Sequence, residues 1–197
     1  MTEFCRLNPQ CSPDDESKLK KWFWITSYSN YFTIYSLSQQ RNAFKIFRKF
    51  AVGEHVDGIF ELEISSTFFT QQFPSEITYS SVRSKTLQLF LLNSVKRHTT
   101  IEKEDESVKE QFIFFYKDRR VGNMILRFSS EFEDAKEAKD TVFYAMENKN
   151  LSDFFMTQEL IQLFIDKNID IFLSMRQSFI IQSEKEFVLG LGIDYTN

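Results

Sequence analysis

A chain that carries 23 phenylalanines but only 5 glycines and 3 prolines has few folds open to it. Tight turns draw on Gly and Pro, so a sandwich or barrel of many short strands would be starved of turn residues. Long helices need few such breaks. The phenylalanines supply the apolar area that helices require to pack. Hydrophobic residues reach 42% of the 197, enough to form a core and to exclude wholesale disorder. The expected fold is therefore mainly α: an irregular helical domain of about six helices, with one short β-hairpin or pair of short strands.

Local signals place the elements. Residues 1–16 read as a lead-in segment, with the first helix signal inside it at Ser12-Pro13-Asp14-Asp15. This is a cap hydroxyl, a proline suited to the first helical position, then acids against the positive helix end. Leu19, Trp22 and Phe23 follow at helical spacing, and the Ser/Tyr/Thr-rich stretch Ser27–Ser36 should break the helix. A second helix is expected from about Leu37 to Val52, stopped by Gly53 in a left-handed cap. One of its faces carries Phe44, Phe47 and Ala51 and should enter the core; another carries Arg41, Lys45 and Arg48, with Lys49 nearby.

Phe60, Leu62 and Ile64 alternate with polar residues as in a strand, and Ser65-Ser66 should cap a brief helical turn ending before Pro74. A confident pattern runs from Ser81 to Val95. The polar run from Lys96 to Glu110 reads as a linker between an N-terminal helical part, 17–95, and a C-terminal part, 111–197, the two packed as one unit. Phe112–Tyr116 and Val121–Phe128 bracket a charged turn and suggest the hairpin. Helices are then expected over 131–147, 157–167 and 169–189, the last closed by Gly190. Arg176 lies at the edge of that helix's apolar stripe and needs a carboxylate or carbonyl partner if buried.

Charge and chemistry narrow the functions. The 24 basic and 28 acidic residues give a net charge of −4, but residues 1–127 hold 18 Lys/Arg against 15 Asp/Glu, and 128–197 hold 6 against 13. A mildly basic front suits phosphate, and an acidic last third suits a docking face. The polar opening and the lack of any long apolar stretch argue against a signal peptide and a membrane span, so the expected location is cytoplasmic. Cys5 and Cys11 make no disulfide framework, and with His55 and His98 in distant segments no zinc ligand set is expected. No Gly-rich phosphate loop and no nucleophile–base motif occur, so no cofactor is expected. The basic face Arg41/Lys45/Arg48/Lys49 is the strongest interaction signal, with Lys96, Arg97, Arg119 and Arg120 as extensions and duplex DNA as the candidate ligand.

Several patches together resemble a known family. Leu19-Lys20-Lys21-Trp22-Phe23-Trp24-Ile25-Thr26-Ser27-Tyr28-Ser29 resembles the L-x-x-W-F-W-x-x-S-F-S segment of GmrSD-type proteins, bacterial restriction and phage-defence proteins that join a ParB-like nucleotide-binding half to a His-Asn-His nuclease half. Ser81–Leu87 resembles the helix between those halves, and Arg120–Leu126 resembles the family's I-G-N-L-x-L strand. Phe172-Leu173 with Arg176, then Glu184–Phe187 and Leu191-Gly192-Ile193, resembles its closing helix. The patches run in order over residues 17–193.

The resemblance implies a scaffold whose active sites are gone. Between Val95 and Gly122 stands only His98, without the Ile-x-Pro that accompanies the family's water-activating His. Asn123 matches the strand, but Arg127-Phe128-Ser129-Ser130 follows where an Asn is often found, and the ParB-like half is missing. A non-catalytic helical module that binds DNA or a ParB-like partner subunit is thus expected. The alternatives are a degenerate metal-dependent nuclease using His98 and Asn123, and a protein–protein adaptor.

Overall fold

The computed structural model describes residues 4, 6, 12–54, 68–78, 80–96, 110–114, 119–128, 151 and 155–196, with the backbone alone at 95–96, 110–114 and 124–128. Six α-helices run through these residues: α1 (Pro13–Tyr28), α2 (Tyr31–Ile34), α3 (Leu37–Ala51), α4 (Val82–Lys96), α5 (Gln158–Ile165) and α6 (Ile169–Gly190). Strand β1 (Glu110–Phe114) pairs antiparallel with β2 (Met124–Phe128), Phe112 opposite Leu126. The fold is mainly helical, as the composition requires. The strand expected at 60–65 and the helix expected at 131–147 lie outside the described residues.

Contacts gather the chain into two compact units, Met1–Gln72 with Phe187–Asn197, and Phe73–Glu186. These boundaries fall elsewhere than the polar run 96–110, most of which lies outside the described residues.

In the first unit, α1 starts as its sequence dictates. Ser12 accepts a hydrogen bond from the Asp15 amide at 3.1 Å, and Pro13 fills the first turn. At the other end Ser29 donates back to the Ile25 carbonyl at 2.7 Å, and Asn30 turns left-handed at φ 50°, a conformation Asn tolerates. Helix α3 opens on a reciprocal Ser36–Gln39 capping box. It closes on Gly53 at φ 79°, whose amide donates to Phe50 while that of Glu54 donates to Lys49. That pair of bonds satisfies the Phe50 and Lys49 carbonyls in the last turn of α3.

Leu19 and Trp22 from α1 pack with Phe4, Phe47 and Ala51 in one cluster, and Ile25 and Tyr28 pack with Val188 and Ile193 in another. Burying such side chains contributes roughly 1.5–3 kcal/mol each. Residues 68–71 run extended against 194–196: the Thr70 amide donates to Asp194, that of Asp194 to Phe68, and the Thr196 hydroxyl to the Thr70 carbonyl. The helical turn expected before Pro74 does not occur at 68–74, because this backbone bonds to the C-terminal segment instead.

The second unit centres on Met156, Leu160, Ile161, Phe172 and Leu173, with Leu92 of α4 packed against them. The hairpin is shorter than its apolar pattern, since Val121–Asn123 coil into a 3-10 turn before β2 begins. The stop of α6 also differs from expectation. Gly190 is still helical, and Gly192 at φ 80° is the left-handed residue, with the Ile193 amide returning to Val188. Ile193 and Val188 also touch through their side chains, the apolar contact that accompanies this cap.

Helix α5 ends in the same bond pattern, but its left-handed residue is Lys167 at φ 61°. A Cβ is strained there, so Lys167→Gly should raise stability by about 1 kcal/mol, read as a higher urea midpoint for the second unit. A lower midpoint would mean the lysine side chain contributes more than the strain costs.

Candidate functional site

Successive residues of a helix step about 100° around its axis, so Arg41, Lys45, Arg48 and Val52 share a stripe about 60° wide. Ala43, Phe47 and Ala51 lie on another side of α3, and all three are buried. The four basic residues, Lys49 included, are consequently driven outward, and each is exposed. No side-chain hydrogen bond or ion pair among the described residues engages any of them. By contrast, Lys18 and Lys20 of α1 are satisfied by Asp14 and Glu16 one turn away.

Phe44 does not join Phe47 and Ala51 in the core. It is 51% exposed on the outer side, as are Leu37 at 59% and Val52 at 62%. Its ring stacks on that of Phe32 at 4.8 Å and 25°. Phe32 in turn contacts Trp22, which packs on Phe47. The exposed ring is thus the outermost of a series of aromatic contacts that reaches the core. Together Arg41, Phe44, Lys45, Arg48, Lys49 and Val52 line a depression of about 460 Å³, with Glu54 at its edge. Sequence reasoning missed the apolar members. The signal was available in the spacing, because Val52 falls on the same stripe as Arg41, Lys45 and Arg48.

The other candidate residues behave differently. Arg119 is exposed, and its carbonyl accepts from the Ile77 amide. Arg120 meets Asp170 at 2.9 Å across an open surface, a pair of small energetic weight. Lys96 is the last residue of α4, and Arg97 and His98 lie outside the described residues. Asn123 is fully buried in the 3-10 turn, with its amide bonded to the Arg120 carbonyl. Cys5, Cys11 and His55 also lie outside the described residues. Among the described residues no group of three or more His, Cys, Asp or Glu could hold a metal ion. Nor is any described helix long and apolar enough to cross a membrane.

The remaining charged residues that stood out in the sequence build the scaffold. Arg83 and Glu184, both buried, form a two-pronged ion pair at 2.8 and 2.6 Å. Arg176 finds the carbonyl partner that its position demanded, donating from Nη1 to the Gly122 oxygen at 2.7 Å. Burial pushes its guanidinium down to about 9, so it still carries its charge at neutral pH.

No family model matches the chain, no curated protein shows significant similarity to it, and no solved structure matches its fold.

Proposed function

We propose that the chain is a non-catalytic helical module of a bacterial DNA-defence type, and that it binds DNA through the outer face of α3. The defence setting rests on the resemblance to the C-terminal region of GmrSD-type proteins. The binding mode rests on one observation: Arg41, Lys45, Arg48 and Lys49 are exposed around a single depression, and no ion pair among the described residues engages their side chains. Holding like charges this close is unfavourable unless a polyanion neutralises them. A phosphate backbone does so, and it releases the counterions condensed on it.

Binding should therefore be sequence-independent and steep in salt. With four contacts, the slope of log K against log salt is about −3.6 on duplex DNA, a loss of roughly a hundredfold between ~50 and ~200 mM. Fluorescence anisotropy on a labelled duplex measures it. Reversing Lys45 and Arg48 together to Glu should remove most of the affinity, while Lys18→Glu, on a residue already paired, should change little. No binding at ~50 mM salt would end the DNA reading.

A further inference from the structure

Phosphate contacts explain the cations of α3 but leave its exposed apolar residues without a purpose. Phe44 is half-exposed beside the basic stripe, lining the same depression, and its ring is braced from behind by Phe32 rather than free to fold back. A flat, braced, solvent-facing ring flanked by Arg41, Lys45 and Arg48 offers one thing that a duplex cannot use: a surface for a base to stack on. Duplex DNA keeps its base faces covered by their neighbours, whereas a single strand presents them.

We infer that this face takes single-stranded nucleic acid, with a base stacked on Phe44 and the backbone tracked by Arg41, Lys45, Arg48 and Lys49. The inference rests on the phosphate-binding reading of the same face and names its substrate class. An anionic bilayer has the same charge but fits the surface less well. Leu37, Phe44 and Val52 stand seven and eight residues apart, about 10–12 Å along the axis, with cations set between them. Insertion into lipid calls for a continuous apolar strip on one side and the charges on the other. Here both share one side, and the opposite side of α3 is occupied by the core.

The experiment compares a labelled oligothymidylate of about 12 nucleotides with a duplex of the same length, in anisotropy titrations at ~50 mM salt. The single strand should bind at least about tenfold more tightly, with a shallower salt slope of about −2.8. Phe44→Ala should weaken single-strand binding about tenfold and leave duplex binding unchanged, whereas Phe44→Trp should retain it. Because Phe44 is half-exposed, the alanine variant should fold, and its far-ultraviolet circular dichroism and melting curve check this directly. If Phe44→Leu also loses about tenfold, the aromatic face is what matters, since leucine keeps apolar contact with Phe32.

Equal affinity for the two strand forms, with Phe44→Ala silent, would overturn the stacking inference and leave the phosphate-binding reading standing. Failure of both oligonucleotides to bind would remove both readings. Binding only to vesicles containing phosphatidylserine would replace them with a membrane-surface role.

Discussion

Gly122→Ala should cost the second unit about 3 kcal/mol or more, seen as a large drop in its urea midpoint. The reason is a close approach. A Cβ built on Gly122 would sit 2.0 Å from the Leu173 carbonyl oxygen and 2.9 Å from its carbon, both backbone atoms of α6. Neither can swing aside as a side-chain tip could, so the 3-10 turn and the helix must part. Inserting a methyl group into a packed site typically costs about 1–3 kcal/mol. Here the separation also strains the hydrogen bond from Arg176 to the Gly122 carbonyl and so exposes a buried charge to a poorer environment. Gly190→Ala is the control. A Cβ at that helical glycine meets nothing within 4 Å, so the substitution should be neutral or stabilise by up to about 1 kcal/mol. Equal effects at the two positions would refute the close-approach argument.

The second large effect is expected at Glu184. Its two carboxylate oxygens receive both terminal nitrogens of Arg83, and both side chains are buried. The pair itself need not stabilise the fold much, because desolvating two charges opposes their attraction. Removing one member is another matter. Glu184→Ala takes a two-pronged counter-charge away from a buried guanidinium and should cost about 3–5 kcal/mol. Replacing both together, as Arg83→Met with Glu184→Leu, should recover most of that loss. The double-mutant cycle from urea melts separates the two cases. If the double variant is as unstable as the single one, the damage comes from lost packing and the charge argument fails.

Much of this architecture could be read in the residues, and the failures share a cause. Helix starts were legible because a cap works through local chemistry: Ser12 before Pro13, and Thr157 before α5, satisfy amides three residues on. The need of Arg176 for a carbonyl or carboxylate followed from its place on an apolar stripe, although Gly122 as the supplier required the fold. Phe44 went astray for a different reason. In a chain this rich in phenylalanine, α3 has aromatic residues on more than one side, and periodicity alone cannot say which side meets the core. The two glycines at 190 and 192 posed a similar ambiguity, since either could end a helix and only the backbone shows which one turns left-handed.

The candidate site was half visible. Spacing put Arg41, Lys45 and Arg48 on one side of a helix, but that no described side chain pairs with them depends on what the rest of the chain brings near. The patches that resemble the defence family tell a related story. Arg83, Gly122, Arg176, Glu184 and Gly192, which stand in those patches, all serve in buried contacts or caps.

Because Val188 and Ile193 complete the cluster around Ile25 and Tyr28, the first unit cannot finish assembling during translation until the whole of Phe73–Glu186 has been made. At ~5–20 residues per second that delay is roughly 6 to 23 seconds. For that interval Ile25 and Tyr28 of α1 lack the apolar partners that Val188 and Ile193 later supply. The unit encoded in the middle of the chain can settle first, and the terminal segment then arrives as a late fastening.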